Sequence, residues 1–120
     1  MLSESVLAAF RSALGAERVF GDAITRTLYA HDETPRHVEP EAVLFPASHA
    51  DVAALVRIAF EHGIALTPRG AGSGNVGGAL PAPGSAVVSF ECMRRGPRFH
   101  PHNPLILVEP GADTEHKAHL

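Results

Sequence analysis

The stretch "TPRGAGSGNVGGALPAPG", Thr67 to Gly84, carries six glycines and three prolines. Its residues 69–84 lie between two apolar runs, "IALTP" (64–68) and "AVVSF" (86–90). Whether a helix follows these glycines decides the fold. Gly72-Ser-Gly74-Asn-Val-Gly77 fits the GxGxxG spacing of a dinucleotide loop, and Glu91 stands 19 residues after Gly72 (91 − 72). That fingerprint needs a helix opening within the glycines, because the helix N-terminus holds the pyrophosphate. Here Gly77, Gly78, Pro81, Pro83 and Gly84 occupy the place of that helix. Each interior glycine costs about 1 kcal/mol and each proline about 3 kcal/mol against alanine, so the helix does not form. A Walker loop is excluded because no Gly-Lys-Ser/Thr occurs.

Two readings remain for the loop. One is a long surface turn, since Gly/Pro-rich linkers are common. The other is a helix-free anion cradle, in which successive backbone N–H groups converge on a phosphate. Six glycines within residues 69–84 exceed what a turn requires, and a long loop inside a compact domain is more often functional. Glycine takes φ > 0 freely and lets a ligand approach where any Cβ would push it away. Ser73 and Asn75 add side-chain donors, and Arg69 could add charge.

Outward from the loop, "SHADVAALVRIAFEHG" (48–63) is the clearest element. Ser48 and Asp51 resemble a capping box, and Gly63 suits a left-handed C-cap. Val52, Leu55, Val56, Ala59 and Phe60 recur at helical spacing and form one apolar stripe. "AVLFP" (42–46) before this helix and "IALTP" after it read as strands, giving a β-α-β unit with a parallel, right-handed pair. "AVVSF" and "LILVEP" (105–110) read as further strands. Upstream, Val6, Leu7, Phe10 and Leu14 predict a helix that Ser3 or Ser5 caps and Gly15 stops. A weaker helix is expected over 22–30, with Ile24, Leu28 and Tyr29 near one face. A helix start is expected at Asp113 or Thr114.

The 120 residues suffice for one small domain, and 45% apolar residues suffice for a core. A net charge of −3 with scattered arginines gives no basic footprint, which argues against nucleic-acid binding. The single cysteine, Cys92, excludes an internal disulfide and a Cys-based metal cluster. Its neighbours Arg94 and Arg95 could lower its pKa, although an unimportant thiol is the commoner case. His100-x-His102 and the pair His116 and His119 have metal-ligand spacing, but no carboxylate stands at a matching position, so no metal site is assigned. No Ser-His-Asp constellation can be argued. The N-terminus lacks a basic n-region and no apolar run approaches membrane-spanning length, which predicts a soluble, cytoplasmic protein without a transmembrane segment.

The run "PEAVLFPASHADVAALVRIAFEHGIALTPRGAGSGNVGGALP" resembles the FAD-binding domain of the p-cresol methylhydroxylase/vanillyl-alcohol oxidase type. Within that type it is most similar to the FAD-linked D-lactate dehydrogenase and glycolate oxidase subunits. Pro40, Ala42, Val43, Pro46, Asp51, Val52, Gly63, Pro68, Arg69, Gly70, Gly72, Ser73, Gly77 and Gly78 match the family pattern. "YAHDETP" (29–35) matches its Tyr-x-x-Asp element, and "VEPGA" (108–112) its Val-Glu-Pro-Gly-Val. The resemblance implies that Arg69, Gly70, Ala71, Gly72, Ser73 and Gly74 wrap the FAD pyrophosphate, with Pro68 and Asn75 flanking them. It implies that Pro46 lies near the adenosine end and that Gly77 and Gly78 lie along the cofactor. Pro110 and Gly111 would close the same subdomain. In such enzymes the flavin takes a hydride from a 2-hydroxy acid.

The sequence departs from the family at Cys92-Met93-Arg94-Arg95-Gly96, at Ala112 and at Lys117. Gly96-Pro97 should weaken the next strand. Family members are several times longer, with a second FAD subdomain and a substrate cap, and no catalytic residue is assigned here. The expected fold class is α+β (α/β): N-terminal helices over 1–38, then a partial FAD-binding domain over 39–120. The alternative is a non-catalytic remnant, or a module that needs the remaining part of a split flavoenzyme as its partner.

Overall fold

The computed structural model describes residues 2–96 and 98–113. Helix α1 (Glu4–Leu14) starts where the Ser3 hydroxyl accepts from the Val6 amide at 3.3 Å, and it ends at Gly15. Its Val6, Leu7, Phe10 and Leu14 are buried, as their spacing predicts. A short strand β1 (Val19–Phe20) comes next, which the sequence pattern did not announce. Helix α2 (Ala23–Leu28) is shorter than expected. Asp22 caps it, accepting from the Thr25 amide and hydroxyl at 2.9 Å each. Ile24 and Leu28 are exposed, so α2 has no buried apolar face.

Strand β2 (Ala42–Leu44), helix α3 (His49–His62) and strand β3 (Leu66–Arg69) give the β-α-β unit. Ser48 accepts from the Asp51 amide at 3.1 Å. The Asp51 carboxylate accepts from the Ala47 amide at 2.9 Å, one residue short of a reciprocal capping box. Gly63 closes α3 in the left-handed region at φ 65°. The apolar stripe is buried only along Leu55 and Ala59; Val56 and Phe60 are exposed. Each residue advances the side chain about 100° around a helix, so Phe60 points well away from its neighbour Ala59. The side of α3 that packs on α1 and the sheet is therefore narrower than the stripe.

The β-α-β pair also needs correction. Strand β4 (Ala86–Ser89) inserts between β2 and β3 and is parallel to both, giving the order β1-β2-β4-β3 with β1 antiparallel. Proline explains the placement. Pro68 lies within β3 and has no N–H to donate, so β3 takes the sheet edge. Strands β2 and β4 are proline-free, and all their residues are buried, as parallel strands covered on both faces require. Ala42, Leu44, Ala86 and Val88 join α1, Leu55 and Ala59 in the core. Strands β5 (Arg98–Phe99) and β6 (Ile106–Leu107) pair antiparallel as a separate ribbon. Both are two residues long and exposed, in keeping with the disrupting Gly96-Pro97. The expected helix beginning at Asp113 or Thr114 lies almost wholly outside the described residues. The fold class is the mixed helix-and-strand one the sequence predicts.

Candidate functional site

Parallel strands β3 and β4 end side by side, and the segments leaving their C-terminal ends build a cleft of about 950 Å³. Arg69, Gly70, Ala71 and Ser73 come from the end of β3, and Glu91, Cys92 and Arg94 from the end of β4. Leu28, Tyr29 and the turn 110–113 complete it. Ligands of open α/β sheets bind outside the carboxyl ends of their strands.

The turn enters the cleft through a tight backbone contact. Gly111 donates to the Met93 carbonyl at 2.9 Å. A Cβ on Gly111 would lie 1.8 Å from the Phe90 carbonyl oxygen, so only glycine fits. The Pro110 carbonyl in turn lies 3.9 Å from where a Gly70 Cβ would stand.

At the cleft wall, the Arg69 guanidinium donates to the His31 carbonyl and lies 5.2 Å from the centroid of the Tyr29 ring. The Tyr29 hydroxyl donates to the Glu91 carboxylate. Burial first, then the hydrogen bond and negative charge of Glu91, push the Tyr29 pKa up to about 12.

Beyond Arg69, the amides of Gly70 to Val76 donate no hydrogen bond among the described residues. Among the described residues, and beyond their own chain neighbours, Gly74, Gly77 and Gly78 have no atom within 4 Å of where a Cβ would stand. A run of free amides beside open space fits a phosphate-bearing cofactor, since the backbone donors lack only an acceptor. The loop is held from behind by the 31–34 turn. The Glu33 amide donates to the Gly74 carbonyl at 3.1 Å. Asp32 is buried, and its Oδ1 accepts from the Thr34 amide at 2.8 Å and from the Thr34 hydroxyl. These bonds first, with the nearby Gly77 backbone amide, hold its carboxyl below the usual carboxylate range, while Oδ2 has no partner within hydrogen-bond distance among the described residues.

Of the residues expected at the cofactor, Arg69, Gly70, Ala71, Ser73, Pro110 and Gly111 line the cleft together. Gly72, Gly74, Asn75, Gly77 and Gly78 belong to the same loop without lining it. Gly72 is instead backed by the protein itself, with the Arg69 guanidinium 2.2 Å from where its Cβ would stand. Pro46 is fully buried and Pro68 sits on the edge strand, neither of them in the cleft wall. Residue spacing placed Glu91 only in the rejected dinucleotide fingerprint and Tyr29 only near one face of a weak helix, and assigned neither to the cofactor site. The signals that could have found them were the Tyr-x-x-Asp element and the place of Glu91 directly after an apolar strand. Cys92 is exposed in the cleft. Among the described residues no three His, Cys, Asp or Glu side chains are grouped to hold a metal. His100 and His102 are exposed, and His116 and His119 lie outside the described residues. Among the described residues no helix is long and apolar enough to cross a membrane.

Residues 40–116 match the family model described as FAD binding domain. The chain is 28% identical over 115 residues to the glycolate oxidase subunit GlcD of Bacillus subtilis, covering 95% of this chain and 24% of that protein. It is 31% identical over 109 residues to a probable mitochondrial D-lactate dehydrogenase of Danio rerio, covering 90% of this chain and 22% of that one. Its fold matches that of p-cresol methylhydroxylase with a TM-score of 0.82 at 23% identity, over 96% of this chain and 23% of the other. The chain thus spans less than a quarter of the length of each of these proteins. The expected cofactor, FAD, is the one this domain binds. With its helix-free glycine loop at the ends of β3 and β4, the chain belongs to the FAD binding domain family.

Proposed function

We propose that Gly70–Gly78 forms the cradle for the FAD pyrophosphate and that the domain serves an FAD-dependent oxidoreductase of 2-hydroxy acids, of the D-lactate or glycolate type. The observation that carries the cradle is the run of amides from Gly70 to Val76 with no acceptor among the described residues, beside glycines whose Cβ positions meet none of those residues. The substrate class rests on the relatives alone. When bound, FAD supplies a two-electron acceptor for the C2 hydride of the hydroxy acid, whose hydroxyl proton goes to a base, leaving the 2-oxo acid. This chain's residues bind and orient: loop amides on the pyrophosphate, Ser73 and Asn75 as side-chain donors, Pro110 and Gly111 closing the cleft. The FAD-binding unit is taken as 39–120 with the 1–38 segment packed on it, in a cytoplasmic protein.

A second reading has its own support. Phe99, Leu105, Ile106 and Leu107 are exposed together on the β5–β6 ribbon. Such a patch suits a domain that holds FAD only alongside a further part of the flavoenzyme, as a split partner would provide.

Gly74→Val tests the cradle. A Cβ at Gly74 would meet no atom of the described residues beyond its chain neighbours within 4 Å, so the fold should tolerate valine there while the ligand is blocked. The expected result is an unchanged melting temperature with at least ~10-fold weaker FAD binding, on the scale of a lost ligand contact. Unchanged FAD affinity in a folded Gly74→Val protein contradicts the cradle.

A further inference from the structure

We infer that Arg69 is a positioning residue: wedged between the Tyr29 ring, the His31 carbonyl and the Cα of Gly72, its guanidinium fixes the backbone of the glycine loop. The inference takes its purpose from the cradle reading, but its geometry stands without a ligand. Arg69 is only 9% exposed although it borders a cleft. Its Nη1 donates to the His31 carbonyl, and its Cζ stands over Tyr29. Its Nη2 lies 2.2 Å, and its Cζ 2.5 Å, from where a Gly72 Cβ would be. The guanidinium therefore fills the space a Gly72 side chain would need, and Gly72 holds φ +70°. The need for glycine at 72 is met by the protein's own Arg69, not by an approaching phosphate. Two residues on, the same 29–33 segment grips the loop again, where the Glu33 amide donates to the Gly74 carbonyl.

These contacts use what distinguishes arginine from lysine. The plane can stack on a ring and lie against a Cα while a fork of donors reaches a carbonyl; an ammonium offers charge without the plane. A phosphate ligand acting through charge would tolerate lysine in part, whereas a planar wedge would not. The fixed loop then presents its amides without a further ordering cost at binding.

The test compares the wild-type chain with Arg69→Lys and Arg69→Met, following amide hydrogen exchange without ligand and FAD binding by flavin fluorescence. In both variants the Glu33 amide is expected to exchange at least ~10-fold faster while the sheet amides of β2 and β4 keep their protection. FAD affinity should fall in Arg69→Lys as far as in Arg69→Met. The inference is overturned if Glu33 exchange is unchanged in both variants, or if lysine restores wild-type exchange and FAD affinity. Loss of sheet protection in both variants would also overturn it, since Arg69 would then hold the core and not the loop. Should Arg69→Met alone unfold, Arg69→Lys carries the comparison. If the wild-type chain binds no FAD, the cradle reading fails and Glu33 exchange still decides the role of Arg69.

Discussion

Tyr29 and Glu91 are hydrogen-bonded in the wall of the cleft, joining the segment after α2 to the end of β4. Because Arg69 from the end of β3 lies over the same tyrosine ring, three separate parts of the chain meet at one side chain. None of these contacts can be read from residue spacing, since Tyr29 and Glu91 are 62 positions apart.

This pairing has a spectroscopic signature. Tyr29 is the only tyrosine and the chain has no tryptophan, so the phenolate ultraviolet band reports this residue alone. Its ordinary pKa of 10.0 rises to about 12 in the fold, through burial and then Glu91. The unfolded chain therefore loses this proton at lower pH than the folded one. The resulting contribution to stability is fully present below pH 10.0 and is lost as pH rises towards about 12. An ultraviolet pH titration should show the high midpoint, and Glu91→Gln should lower it by removing the negative charge. An ordinary midpoint in the folded protein would contradict the buried setting of Tyr29, and an unchanged midpoint in Glu91→Gln would contradict its bond to Glu91.

Gly111→Ala should be among the most damaging single-methyl changes in the chain. The added carbon would lie 1.8 Å from the Phe90 carbonyl and 2.8 Å from that of Met93, both backbone atoms that cannot swing aside. Forced overpacking costs typically about 1–3 kcal/mol, occasionally more. Urea denaturation of the two proteins measures it, and equal midpoints would show that the 90–93 and 110–111 segments do not approach so closely.

Phe60 and Leu55 belong to the same apolar stripe in sequence but not in the fold. Leu55→Ala removes a fully buried side chain and should cost about 2–5 kcal/mol. Phe60→Ser alters a side chain that is 87% exposed and should stay within about 0.5 kcal/mol of wild type. Thermal melts of the pair decide between the narrow and the wide buried face. A large loss from Phe60→Ser would mean that the whole stripe is covered.

The helices were legible because their signals are local: Ser3, Ser48, Gly15 and Gly63 mark ends that the structure keeps. The parallel strands were legible as apolar runs, and the prolines after Gly77 removed the Rossmann alternative. The order of the sheet was not legible as a pair of neighbours, because the insertion of β4 depends on tertiary pairing. Pro68 did carry the clue that β3 belongs at an edge. Strand β1 is two residues long and exists only by pairing with β2, so no periodicity could announce it. At the site, the glycine loop was visible from composition, and Pro110 and Gly111 through the family resemblance. The wedge of Arg69 on Gly72 was invisible, because it depends on where one guanidinium comes to rest.

If the Gly70–Gly78 loop is the cradle for the FAD pyrophosphate, titration of FAD into the purified chain should reveal it. Flavin fluorescence should change saturably with one FAD per chain. ADP, which carries the pyrophosphate, should compete, and riboflavin, which lacks it, should not. No saturable change up to millimolar FAD, or competition by riboflavin but not by ADP, would rule out a pyrophosphate cradle at this loop.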